Sequence, residues 1–142
     1  MPNIVELAPG DERLALVYPV MRELRTELSE EVFRQRFETG ARTGGYRIAA
    51  LFEGDECRAA AGFRVLTNLL HGTHMYIDDL VTSSTHRSKS YGKALNDHLV
   101  ELARSEGCTV VQLDSGVQRF RAHGFYLREG YIISSHHFLL DL

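Results

Sequence analysis

Three cations, two serines and a glycine fall within seven residues at Arg87-Ser88-Lys89-Ser90-Tyr91-Gly92-Lys93, between an apolar run and an amphipathic pattern. Such a junction is suited to anion binding. A strand that turns into a helix start leaves several backbone N–H groups without intrahelical partners, and the helix dipole adds partial positive charge there. A phosphate fits those groups. Ser88 and Ser90 add hydroxyl donors, Gly92 lets the backbone approach closely, and Arg87, Lys89 and Lys93 bring full charges. The same residues are equally compatible with a solvated basic turn. Two phosphate motifs fail on spacing. A P-loop needs a glycine five positions before Gly92 and a hydroxyl after Lys93, where Arg87 and Ala94 stand. A dinucleotide-binding turn needs G-x-G after the first strand, and none is present.

The elements that must position this turn are read from apolar spacing. Asn3 to Leu7 predicts a strand, and Leu14, Val17, Met21, Leu24 and Leu28 form one stripe on a first helix that Pro19 should bend or interrupt. Ser29 reads as an N-cap, with Glu30 and Glu31 in the first turn of a second helix through about Thr39, ended by Gly40, Gly44 and Gly45. "YRIAALFE", "CRAAAGFRVLTNL" and "HGTHMYIDDLVT" predict three strands in an antiparallel meander. Tyr91 to Glu106 carries Leu95, Leu99 and Leu102 on one helical face, and "CTVVQLDS" is a further strand. Strand-helix-strand at this length implies a right-handed crossover between parallel neighbours. "VQRFRAHGFYLREG" predicts a helix ended by Gly130, and "YIISSHHFLLDL" a closing strand. The whole is an α+β, or mixed α/β, pattern filling a single domain over residues 1–142.

Composition bounds the function. With 142 residues, 44% of them hydrophobic and 25% charged, the chain can bury one substantial core. A net charge of −3 gives no global attraction to nucleic acid or anionic membrane, so any anion must be bound locally. Cys57 and Cys108 fit no metal spacing and read as packing residues in a reducing cytosol. The N-terminus lacks the basic and apolar regions of a secretory signal, and the chain is expected to be soluble and cytoplasmic. His71, His74, His136 and His137 lack further ligands at metal spacing, so no metal is predicted.

"RSKSYGKAL" resembles the pyrophosphate turn Arg/Gln-x-x-Gly-x-Gly/Ala of the GNAT superfamily of acyl-CoA-dependent N-acetyltransferases. Arg87 and Gly92 match, and Ser90 stands where the family has its first glycine. Upstream, "YIDDLVTSSTHR" is similar to the family's strand I-x-D-L-x-V and its spacing to the arginine. Downstream, "GFYLREGY" resembles the Phe-Tyr pair that sits before Gly-Phe or Gly-Tyr. The resemblance implies a mostly antiparallel twisted sheet with one parallel crossover, splayed central strands and helices on both faces. It also implies acetyl-CoA as co-substrate, with the backbone of Leu80, Val81 and Thr82 pairing with the pantetheine arm and supplying an oxyanion donor. Arg87, Ser88, Lys89, Ser90, Tyr91, Gly92 and Lys93 would hold the diphosphate, with Arg119 and Tyr126 also near the cofactor.

Further roles follow from the same resemblance. Tyr126 is in the general-acid position, from which a phenol of pKa ~10 can protonate a departing thiolate of pKa ~8.5; its alternative is an aromatic packed under the last helix. The attacking amine, with a pKa of ~10.4, is neutral about once in a few thousand molecules at pH 7, a handicap of ~4 to 5 kcal/mol. Asp79 is the preferred base or electrostatic partner; its alternative is an aspartate that bonds backbone or a basic neighbour. On a regular strand Asp78 would point to the opposite face, so only one of the two should reach the cleft. Arg119 stands where many members carry Asn, and could bond the cofactor or Asp114 or help build the acceptor pocket. His123 reads as a packing or hydrogen-bonding residue, and Glu23 and Arg25 line the acceptor side if the fold follows the family. The predicted reaction is direct transfer of acetyl to a small-molecule or peptide amine in a ternary complex. Three rivals are a CoA-binding regulatory module with little turnover, a basic-turn nucleic-acid binder, which the acidic total disfavours, and an acyltransferase preferring another acyl-CoA. A homodimer is compatible with the sequence; no nucleic-acid or membrane partner is predicted.

Overall fold

A computed structural model describes residues 2–142, with the side chains of Arg87 and Ser88 lying outside the described residues. The chain divides into two compact units, the first running to Gln112 and the second Leu113–Leu142. The elements in chain order are β1 (Asn3–Leu7), α1 (Leu14–Leu24), α2 (Glu30–Gly44), β2 (Arg47–Glu53), β3 (Glu56–Asn68), β4 (Gly72–Thr82), a 3-10 turn (Ser84–Lys89), α3 (Tyr91–Ser105), β5 (Val111–Leu113) and α4 (Phe120–Arg128). The sheet order is β1-β2-β3-β4-β5, antiparallel from β1 to β4. β5 follows the α3 crossover and lies parallel to β4, joined at Thr109 N to Thr73 O (2.9 Å) and Met75 N to Val110 O (3.0 Å). This is the mixed sheet with one parallel pair that the motif order implied.

Every residue from Ile48 to Phe52 is buried, so β2 is covered on both faces. On one face Leu14, Val17, Val20 and Met21 of α1 and Phe33 and Phe37 of α2 pack with Ile48, Ala50, Phe52 and Ala60. α3 contacts β2, β3 and β4 through a helix whose Leu95, Leu99 and Ala103 are buried. The side chains Ala59, Ala60 and Ala61 keep the middle of β3 thin.

Three local expectations change. α1 continues through Pro19, because the buried side chains on either side, Val17, Val20 and Met21, hold the turn against the sheet despite the missing N–H. α2 runs past Thr39 and through Gly40, and stops where Gly45 takes φ 69°. Ser29 caps it as expected, accepting from Val32 N at 3.2 Å. The segment "YIISSHHFLLDL" forms no strand: nothing from Tyr131 to Leu142 has regular structure, and Ile132, Ile133, Phe138, Leu139, Leu140 and Leu142 are exposed. Its apolar alternation is strand-like, but a strand exists only with a hydrogen-bonding neighbour.

The register of β3 against β4 slips once. Gly62 pairs with Asp79 while Phe63 pairs with Ile77, leaving Asp78 as the extra residue of a β-bulge. Gly62 is bare there for a reason: a Cβ at that position would lie 1.7 Å from the Tyr46 hydroxyl oxygen, 2.4 Å from its Cζ and 2.7 Å from Asp79 Oδ2. A second constraint sits at Ser90, which takes φ 63° and ψ 21° ahead of α3, left-handed backbone that glycine adopts readily and serine does not.

Two outcomes follow from these positions. Gly62→Ala should lower folding stability by about 1–3 kcal/mol through overpacking, seen as a lower thermal midpoint; an unchanged midpoint would show that Tyr46 moves aside freely. Ser90→Gly should relieve about 1 kcal/mol of backbone strain and raise the midpoint, whereas a lower midpoint would mean that the serine side chain supports the turn.

Candidate active site

A cavity of about 850 Å³ opens in the first unit between the segment after α1, the face of α2 that runs from Val32 to its last residue, Gly44, and the bulged stretch of β3 and β4. Leu28, Val32, Phe33 and Phe37 give it an apolar wall, and Arg64, Asp78 and Asp79 line it from the sheet. The bulge overturns the expectation that only one aspartate reaches the cleft. An extra residue resets the alternation of the strand, so consecutive carboxylates both line one cavity.

The two carboxylates have different surroundings. Asp78 meets the fork of Arg64, Nε to Oδ2 at 2.9 Å and Nη2 to Oδ1 at 2.8 Å. Asp79 is more enclosed, with its side chain 12% exposed. Tyr46 donates its hydroxyl to Asp79 Oδ2 at 2.5 Å, and Arg25 Nε donates to Oδ1 at 2.8 Å. Arg25 Nη2 also holds the Asp78 carbonyl at 2.9 Å, fixing the bulge backbone. Tyr46 is half-buried as a residue, but its phenol end is enclosed. Burial, and then the charge and hydrogen bond of Asp79, push the phenol well above the usual tyrosine range. The hydroxyl therefore keeps its proton and stays a donor. Each Asp79 oxygen is already engaged by one donor and keeps a second acceptor site for an amine.

Tyr46 did not emerge from the sequence as a site residue. The signal that could have found it is indirect: an aromatic at the mouth of a strand, and a glycine within the Ala-rich β3 where only a bare Cα lets that aromatic pass. Of the two early residues proposed for the acceptor side, Arg25 lines the cavity. Glu23 instead accepts from Ser84 N at 2.9 Å, tying α1 to the start of the basic turn.

On β4, Leu80, Val81 and Thr82 pair with Ala61, Ala60 and Ala59 on the β3 side. β5 joins β4 at Thr73 and Met75 and lasts three residues, so Leu80–Thr82 lie beyond its end, and among the described residues no strand pairs with that side of them. The 3-10 turn, Ser90, and Gly92 in the first turn of α3 follow directly. Ser90 makes no side-chain capping bond. Lys89 is exposed, and Lys93 pairs with Asp97 at 3.3 Å. Tyr91 differs from a diphosphate contact through its side chain: it is buried and donates to Glu53 at 2.7 Å, leaving its backbone alone for the turn. The expectations for the Arg87 and Ser88 side chains lie outside the described residues.

In the second unit, Tyr126 is the buried residue of α4. Burial raises its phenol above the ordinary value, while the Arg119 guanidinium pulls in the opposite direction. Arg119 sits at the N-cap of α4. His123 holds the Gly116 carbonyl at 2.7 Å through Nε2, a structural tie for the loop before α4. His137 faces Asp114 at 3.2 Å. Among the described residues no three His, Cys, Asp or Glu side chains converge as a metal site, and no helix is long and apolar enough to cross a membrane. Cys57 is a buried free thiol that burial pushes up to about 12.

The sequence pattern of the Acetyltransferase (GNAT) family matches residues 12–131. An uncharacterized N-acetyltransferase, YhdJ of Bacillus subtilis (strain 168), is 42% identical over 128 residues, covering 89% of this chain and 90% of the relative. The aminoalkylphosphonate N-acetyltransferase of Salmonella typhimurium (strain LT2) is 28% identical over 117 residues, covering 81% of this chain and 76% of the relative. Among solved structures, a GNAT family acetyltransferase of Staphylococcus aureus superposes with a TM-score of 0.82 at 20% identity, covering 99% of this chain and 98% of that one. A free β4 edge leading into a basic turn, a cavity of paired carboxylates beside it on the same strand, and a family pattern spanning most of the sequence converge on one conclusion: the chain belongs to the GNAT acetyltransferase family.

Proposed function

We propose that this protein is a single-domain N-acetyltransferase that moves the acetyl group of acetyl-CoA to an amine held in the cavity at Asp79. The observation that carries the proposal is the placement of Asp78 and Asp79 by one bulge, at the point of β4 just before its open edge at Leu80–Thr82. That edge offers N–H and C=O groups to an extended arm as an added strand would, and acetyl-CoA supplies the thioester. In this reading a backbone N–H of the same stretch stabilises negative charge on the thioester oxygen. Gly92 and the N–H groups at the start of α3, with Lys89, Lys93, Arg87 and Ser88, bind the diphosphate, and the left-handed Ser90 turns its backbone toward it.

Asp79 draws the ammonium form of the acceptor into the cavity and takes part in removing its proton, directly or through a water. Tyr46 and Arg25 hold the carboxylate still while it does so. Tyr126 retains its proton at neutral pH, as burial dictates, and delivers it to the departing sulfur. Arg119 orients that phenol. Both cysteines lie outside this set, so the acetyl group passes directly from sulfur to nitrogen without a covalent enzyme intermediate. The amine nucleophile is supported by the two N-acetyltransferase relatives, and the cytoplasm is the proposed compartment.

Tyr126→Phe separates the enzyme from a CoA-binding module with little turnover. Titration should show acetyl-CoA affinity kept within about threefold, while amine-dependent thiol release falls at least about tenfold, the lower end of a lost acid–base contribution. Unchanged turnover would remove the acid role from Tyr126.

A further inference from the structure

We infer that the acceptor is a small zwitterion, an amine that also carries an anionic group, with the amine directed to Asp79 and the anion bound by Arg36. This rests on the cavity being the acceptor site. Three arginines, Arg25, Arg36 and Arg64, and three acids, Glu27, Asp78 and Asp79, line it. Two of each sign are already matched. The Arg64 fork closes on both oxygens of Asp78, and Arg25 closes on Asp79. Arg36 and Glu27 have no ion-pair partner among the described residues, although Arg34, two positions before Arg36, is paired with Glu30. The cavity therefore presents one uncommitted charge of each sign to whatever enters it.

The helix beside Arg36 is shaped for an anion. Arg36 projects from α2, and the next cavity-lining positions on that face, one and two turns on, are Gly40 and Gly44. Gly40 packs against Tyr46, where an added Cβ would sit 3.1 Å from Tyr46 Cβ, whereas a Cβ added at Gly44 would meet nothing within 4 Å, so the open side of that face lies at Gly44. Val32, Phe33 and Phe37 on the same helix, with Leu28, form an apolar wall suited to a short methylene spacer between the two charged ends. Arginine presents a planar fork that matches carboxylate, phosphonate or phosphate monoester oxygens. A neutral alkylamine would leave Arg36 unmatched, and so would a diamine, whose second ammonium could pair with Glu27 but not with the guanidinium. The volume of about 850 Å³ also lies within the range of small-molecule sites.

The test compares initial rates of thiol release from acetyl-CoA with four acceptors: 3-aminopropionate, 2-aminoethylphosphonate, propylamine and 1,4-diaminobutane. The two anionic amines should have kcat/KM at least about tenfold above the other two, as expected for a charge-assisted hydrogen bond, and their ranking distinguishes a carboxylate site from a phosphonate site. In Arg36→Ala the ratio of anionic to neutral acceptors should collapse to within about threefold, and Arg36→Lys should restore part of it. Equal or better use of propylamine or 1,4-diaminobutane by the wild-type protein would overturn the inference and leave the transferase reading intact. Acetyl-CoA binding without turnover of any of the four would also overturn it. Failure to bind acetyl-CoA at all would instead overturn the reading on which the inference rests.

Discussion

The hydrogen bond from Tyr46 to Asp79, made over the bare backbone of Gly62, is the constraint around which the cavity is organised. It is short, enclosed and charge-assisted, and the enclosed phenol cannot ionise at neutral pH. A side chain at Gly62 would occupy the same space as the Tyr46 ring. The bulge at Asp78 then does two things with one inserted residue. It brings a second carboxylate onto the cavity wall, and it frees backbone at the strand position where Arg25 clamps the Asp78 carbonyl. Three distant parts of the chain, the end of α1, the mouth of β2 and the middle of β4, are fastened together at this point.

The basic turn depends on a different local device. β5 is too short to accompany β4 to its end, so among the described residues the last residues of β4 find a strand partner on the β3 side alone. The chain leaves that open edge through a 3-10 turn and enters α3 through a serine in left-handed conformation. Glu23 anchors the turn from α1. Strand edge, turn and helix start are thus continuous in sequence, as the proposed binding of an extended arm and a charged group by one short stretch requires.

That continuity is why so much of the shape of this stretch was legible beforehand. "IDDLVTSSTHRSKSYG" carries its own geometry: the strand, the turn and the helix start are local, and the left-handed shape needed at Ser90 follows from the glycine it replaces. α3 was equally readable, because its leucine stripe and closing Gly107 are local signals. Tyr46 was not legible, since its partner lies 33 residues away and the link runs through the empty side of Gly62. The shared cavity of Asp78 and Asp79 was hidden for a related reason: alternation holds along a regular strand, and a bulge is a property of two strands together. α2 outran its glycines because Gly40 packs against Tyr46, where a Cβ would sit 3.1 Å from Tyr46 Cβ. The last twelve residues have strand-like composition without the neighbour a strand requires, and composition does not reveal a neighbour.

In the proposed transferase one strand, β4, organises the site, with the acceptor cavity at its bulge and the acyl donor along its far end. The most direct measurement is calorimetric titration of the purified wild-type protein with acetyl-CoA, followed by mass spectrometry of an amine incubated with the complex. A transferase of this kind should show saturable binding and the appearance of the N-acetylated amine together with free CoA. Absence of acetyl-CoA binding, or binding with no acetylated amine across chemically diverse acceptors, would contradict it.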